Sequence, residues 1–311
     1  MTSFLAVLKK HPLLTALIAV VLAVLAARLP QPTYWNKSVI RILSCGMMLF
    51  SLYLISGEKT LSQGDKQIAY TFKHILGFLI FALVMGLFSA AAKLTDGAPE
   101  SGLLLRLFSL LVLFFFVGQF EELCFRAVLN DAIVYRFRGT KGVFVLSLVI
   151  SSLVFGAVHI IGSPLTGALD WAQAVLKTLS SATMGVACLI LYWKTRNVFA
   201  VGLVHGLYDF LTQISLVLGG SAKLGAGSYV VQGNDAIVGI IMLSVQMLFG
   251  LVFVLLIWKK LAKRSTLKNS AGHGNHDHDT AAPRRTAGRC PFHTDAVKKA
   301  AAVIVKSGSL W

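Results

Sequence analysis

The sequence predicts an all-α fold, a polytopic membrane helix bundle with about eight transmembrane helices, and three observations predict it. Of the 311 residues, 56% are hydrophobic and 14% are charged, whereas an ordinary soluble domain has about 45–50% apolar and about 25% charged residues. The mean hydropathy is +0.74. Apolar runs of about 20 residues, the length that crosses a hydrocarbon core, recur between short stretches of turn-forming residues.

The first run, 12–29, follows Lys9 and Lys10 and superficially resembles a signal peptide. Its length and the lack of a small-residue cleavage site make it a retained span. Pro30, Pro32 and Asn36 end it, and 39–56 forms the second run. Gly57 to Gly64 separate this from 72–93, and Asp96-Gly97 with Pro99 precede a long fourth run, 103–135. Gly139 introduces 142–163, and Gly162 to Pro164 introduce 172–193. The seventh run is 198–218, and after Gly219 to Gly233 comes the last, 236–258. The chain divides accordingly into three N-terminal spans (1–101), a segment of four helices (102–218), a last span (219–264) and a polar tail (265–311). The tail contains Gly-His-Gly-Asn-His-Asp-His-Asp at 272–279 and reads as partly disordered. Its His273, His276 and His278 have the character of a flexible His-rich tract, which often collects metal without physiological meaning.

Eight spans put both termini on one side. With the N-terminus inside, inner flanks carry Lys9, Lys10, Lys59, Lys66, Lys73, Arg136, Arg138, Lys141, Lys194, Arg196, Lys259, Lys260, Lys263, Arg264 and Lys268. Outer flanks carry Arg28, Lys37, Arg41, Lys93, Arg106, Lys177 and Lys223. Fifteen against seven predicts cytoplasmic termini. The net charge of +16 follows from these flanks and not from a basic-aromatic surface, so no nucleic-acid partner is expected. Basic residues of the tail would attract anionic lipid. The cysteines at 45, 124, 188 and 290 share no metal-type spacing, and the first three read as small packing residues.

An ionisable residue near the bilayer centre costs at least about 2.5–3.5 kcal/mol, so those inside spans are functional candidates. They are Glu121, Glu122 and Arg126 in the fourth run, His159 in the fifth, and His205 with Asp209 in the seventh. Glu122 and Arg126, four apart, share a helical face, while Glu121 is rotated by about 100°. Arg126 can therefore neutralise Glu122, leaving Glu121 as the carboxylate suited to general-base work. Phe155 and His159 share a face at the same spacing, as do His205 and Asp209. A packing network would account for any one of these groups; their joint occurrence on three apolar runs points to chemistry.

The three motifs, Glu-Glu-x-x-x-Arg, Phe-x-x-x-His and His-x-x-x-Asn/Asp, resemble those of the CAAX-processing and bacteriocin-processing (CPBP or Abi) intramembrane proteases, over about residues 102–215. The resemblance implies an intramembrane endopeptidase acting on a membrane-associated protein or peptide. It assigns water activation to Glu121 and His159, support of that pair to Glu122 and Arg126, and oxyanion stabilisation to His205 with residue 209. Position 209 is Asp here, where CAAX-type members have Asn, and an ionised Asp209 would repel an oxyanion. It is expected to be protonated or to orient His205. No cofactor is expected: the zinc alternative would use Glu121, His159 and His205, but no His-Glu-x-x-His motif is present. Readings of another class are a proton-coupled transporter, for which no inverted repeat is visible, and a catalytically silent membrane scaffold. Counted from flanking charges, Glu121 lies 15 residues from Arg136 and His159 lies 18 from Lys141, but His205 only nine from Arg196. These depths disagree unless a helix tilts or projects from the membrane.

Overall fold

The computed structural model describes residues 2–29, 31, 33–56, 67–94, 102–218, 230–231, 233 and 235–271, with side chains from Ala6 to Lys259. The described residues contain no strand. The helices are α1 (Thr2–Lys10), α2 (Pro12–Ala27), α3 (Tyr34–Ser56), α4 (Ile68–Leu94), α5 (Leu103–Glu122), α6 (Asp131–Arg136), α7 (Val143–Val158), α8 (Ala168–Thr195), α9 (Val198–Thr212) and α10 (Asp235–Ala271). Leu123–Asn130 is a π-helical stretch joining α5 to α6, and Ile214–Val217 is a 3-10 turn after α9.

All eight expected runs are largely helical, but the fifth, expected to reach 163, stops at Val158, and the seventh, expected to reach 218, breaks after Thr212. Among the described residues, five spans are long and apolar enough to cross a membrane: Tyr34–Ile55, Ile68–Leu94, Leu103–Arg136, Ala168–Thr195 and Asp235–Lys259. Three more apolar helices, α2, α7 and α9, are shorter. Large hydrophobic side chains stand exposed on them, Leu43, Phe88 and Leu105 at 64–65% among them. Exposure of that kind on helix after helix requires a lipid solvent. The polar tail from 272 onward, with its histidines, lies outside the described residues, and the helix of the last run continues to Ala271, past the expected boundary at 264.

Two compact units divide at Phe253 and Val254, and the site belongs to the first. Within it α9 packs between α5 and α4, α3 covers α5, and α7 pairs with α8. The fourth run, expected as one continuous α-helix, widens into the π stretch. Every residue from Leu123 to Asn130 is buried and packs against α2, α3, α7 and α9. Tertiary contacts on all sides set its pitch, as is common for π turns at functional sites. Ser151 on α7 donates its hydroxyl to the Phe125 carbonyl inside this wide turn (2.8 Å).

The start of α8 also differs from expectation. The Asp170 carboxylate accepts from the backbone N–H of Thr166 (3.0 Å), the Thr166 hydroxyl (2.9 Å) and the N–H of Gly167 (2.9 Å). These bonds satisfy donors that a helix N-terminus leaves orphaned, so the helix begins at Ala168 instead of 172. Lys177, counted above as an outer flank, consequently stands nine residues inside a membrane-length helix.

Candidate active site

The site is assembled by close approach of backbones at glycines. A Cβ on Gly118 of α5 would collide with the backbone of Gly202 and Gly206, and a Cβ on Gly206 would strike the Phe114 carbonyl. Gly202 and Gly206 form a Gly-x-x-x-Gly pattern on α9, the arrangement that lets helix axes come together where no hydrophobic force drives them. The Gln119 amide fixes the register by donating to the Phe199 carbonyl (3.1 Å). Gly156 of α7 is seated on α8 in the same way, where a Cβ would strike the Thr178 carbonyl.

Glu122 occupies the centre and is wholly buried. One oxygen accepts from His205 Nδ1 (2.7 Å), and the other lies 3.0 Å from Arg126 Nε. An ionised carboxylate only accepts hydrogen bonds, so the Nδ1 of His205 carries the proton. Arg126, also wholly buried, spreads its guanidinium over the Phe155 ring at 4.5 Å from the centroid.

The opposite edge of His205 meets two carboxylates. Its Nε2 is 3.6 Å from Glu121 Oε2 and 3.7 Å from Asp209 Oδ2. These separations exceed direct hydrogen bonds. Glu121 and Asp209 are 15% and 19% exposed, against 0% for Glu122. Polarity and access therefore increase from Glu122 outward through His205 to Glu121 and Asp209.

His159 caps the C-terminus of α7 and donates Nδ1–H to the Phe155 carbonyl (2.8 Å). Because a carbonyl can only accept, the other ring nitrogen, Nε2, is left as the basic one in the neutral ring. Phe155 links the two histidines, its centroid 4.8 Å from the His159 ring and 5.7 Å from the His205 ring. The structure thus brings Glu121, Glu122, Arg126, His205 and Asp209 into one cluster, with His159 joined to it through Phe155.

The depth conflict has a geometric answer. Arg196 pairs with Asp131 through both nitrogens (3.2 and 2.7 Å), so its level on the fourth run is Asp131 and not Arg136. Counted from that pair, Glu122 and His205 are each nine residues away. His159 and Asp209 both stand at the ends of short helices, α7 and α9, which places the outer part of the site where these helices stop.

Among the described residues, two groups of potential metal ligands have ligand atoms within 4.8 Å of one another: Glu121, His205 and Asp209, and Glu122, Cys188 and His205. The trio considered from sequence, with His159, is neither of these. The second group is already engaged, since Glu122 is bonded to His205 and paired with Arg126. The first offers two carboxylates and an imidazole, a donor set that suits a catalytic divalent ion.

Two participants, Cys188 and Lys177, were not legible as such, and the contacts of Phe155 go beyond its place in the Phe-x-x-x-His motif. Cys188 stands beside Glu122 and His205, although its sequence context reads as packing. Phe155 is sandwiched among Arg126 and both histidines. Lys177 acts electrostatically on Asp209 and Glu121; its signal was being the one Asp, Glu, Lys or Arg between Asp170 and Lys194.

Residues 103–211 match the family model of type II CAAX prenyl endopeptidase, Rce1-like. The match coincides within a few residues with the 102–215 over which the motifs resemble that family. Comparison with curated proteins and with solved structures gives no significant match. The matched segment contains the Glu-Glu pair, both histidines and Asp209, and it lies among helices of membrane length. This chain is accordingly an integral membrane protein whose residues 103–211 are similar to the Rce1-like, CAAX-type protease family.

Proposed function

We propose that the protein is an intramembrane endopeptidase that hydrolyses a peptide bond of a membrane-associated protein or peptide by direct attack of water. The observation that carries this reading is the ordered series Arg126, Glu122, His205, Glu121: a buried ion pair orients a histidine whose free edge faces a second, more accessible carboxylate. Glu121 takes a proton from water as its oxygen adds to the carbonyl carbon. His159 Nε2 shares that water. His205, anchored by Glu122, presents Nε2–H to the developing oxyanion when it is an imidazolium, a preorganised donor in a site shielded from bulk water. Asp209 orients His205. Collapse of the tetrahedral intermediate breaks the C–N bond, and the proton held by Glu121 passes to the leaving amine, giving a new carboxylate and a free amine.

The step takes no metal in this reading, because Glu121 and a histidine suffice to activate water and no zinc-binding helix motif is present. A divalent ion, if bound, would be held by Glu121, His205 and Asp209 and would polarise the water. Both termini face the cytoplasm in the proposed topology.

The test is cleavage of a panel of membrane-tethered peptides by purified protein in lipid, with Glu121→Ala and His159→Ala alongside. Loss of cleavage in both variants, with folding intact and the wild-type rate unaffected by chelator, is the expected outcome. Cleavage persisting in both variants would remove the proposed pair.

A further inference from the structure

We propose that Lys177 is a positioning residue of this site, the countercharge that allows an aspartate to stand at position 209 next to the oxyanion. The inference rests on the hydrolytic reading above and adds to it a residue outside the three motifs.

Placement is the first support. Cys188 of α8 has its sulfur within 4.8 Å of ligand atoms of Glu122 and His205, which identifies the site-facing side of that helix. Lys177 is eleven residues earlier, and eleven steps of about 100° return it to within about 20° of the same face. Gly185, between them, is turned the same way, since a Cβ there would touch Phe155 (3.1 Å) and Arg126 Nη2 (3.4 Å). Gly156 of α7 packs on Thr178, and His159 lies three residues further along α7, so Lys177 and His159 come level at the outer end of the cluster.

Charge is the second. Lys177 acts electrostatically on Asp209 and Glu121 and on His159. Arg126 is committed to Glu122, and Arg41 of α3 acts on Glu121. The groups acting on Asp209 are His205, Glu121, Glu122 and Lys177, of which Lys177 is the lysine or arginine. Two carboxylates facing one imidazole would set a negative potential where the oxyanion forms. An ammonium beside them offsets it, so that Asp209 orients His205 without opposing the chemistry. A lysine in a membrane span otherwise costs at least about 2.5–3.5 kcal/mol, and removing one partner of such a pair leaves the other charge uncompensated.

The experiment is a double-mutant cycle on the full-length protein in lipid, using Lys177→Met and Asp209→Asn singly and together, with Lys177→Arg as the conservative variant. Cleavage rate and Tm are both read. Coupled charges predict that Lys177→Met slows cleavage about tenfold in the wild-type background and less than about twofold in the Asp209→Asn background. The Tm loss should shrink in the same way, and Lys177→Arg should stay near wild type. Equal effects of Lys177→Met in both backgrounds, or no effect in either, would overturn the proposal. If the wild type cleaves no tethered peptide, the hydrolytic reading fails on its own, and the Tm cycle decides whether Lys177 and Asp209 are coupled.

Discussion

Two charged networks hang on the same helical rod, and their carboxylates differ in how completely they are satisfied. At the α8–α9 turn, Asp131 accepts from Arg196 at both oxygens (3.2 and 2.7 Å), from the Tyr192 hydroxyl (2.8 Å) and from the Asn130 amide (3.2 Å). Nine residues toward α5, the cluster around Glu122 leaves buried polar atoms without a hydrogen-bond partner among the described residues, including Glu121 Oε2 and Arg126 Nη1 and Nη2. Buried polar groups are nearly always paired, so the Asp131 carboxylate, with both oxygens bonded, reads as a clamp, and the Glu121 carboxylate, with Oε2 unbonded, as a place where chemistry is done. Both lie on one apolar run, and composition alone does not separate them. Geometry does.

The largest expected effect comes from breaking the inner network. Arg126→Leu leaves the wholly buried Glu122 without its cation, and stability should fall by about 3–5 kcal/mol, with cleavage lost. Combining it with Glu122→Gln should recover most of the Tm and none of the activity, because His205 then loses its ionised anchor. Thermal unfolding of the two variants in lipid checks this.

A smaller loss is expected at the helix contact that sets the distance between the carboxylates and His205. Gly206→Val would force α9 off the Phe114 carbonyl, at a cost of about 1–3 kcal/mol. Its effect on rate should be larger than on stability, since a shift of about 1 Å in a catalytic group can cost about 100-fold. The comparison of kcat with Tm for this variant separates positioning from folding.

The smallest effect on catalysis is expected in the clamp. Asp131→Asn removes the charge that Arg196 pairs with, and because Arg196 is 18% exposed water compensates in part. Stability should fall by about 1–3 kcal/mol, while cleavage stays within about threefold of wild type.

Much of this organisation is legible in the sequence. The apolar runs marked the helices because a bilayer leaves the backbone no alternative, and Glu121, Glu122, His205 and Asp209 stood out because charges in such runs are costly. What could not be read was what depends on neighbours. The π turn at Leu123–Asn130 follows from packing on every side, and the seat of α5 on α9 follows from Gly118 meeting Gly202 and Gly206. Lys177 was assigned to an outer flank because the extra turn at the start of α8 depends on Asp170 reaching back to Thr166 and Gly167. The position of His159 was half legible: its face was given by the spacing from Phe155, but not that the Phe155 ring would contact both it and His205.

The most direct test is the rate at which Glu121→Gln and Asp131→Asn cleave one membrane-tethered peptide that the wild type cleaves. Loss of a general base costs about 100-fold or more, so Glu121→Gln should fall below about 1% of the wild-type rate at an unchanged Tm, while Asp131→Asn cleaves at nearly the wild-type rate with a lowered Tm. A Glu121→Gln protein that cleaves as fast as the wild type would contradict the account.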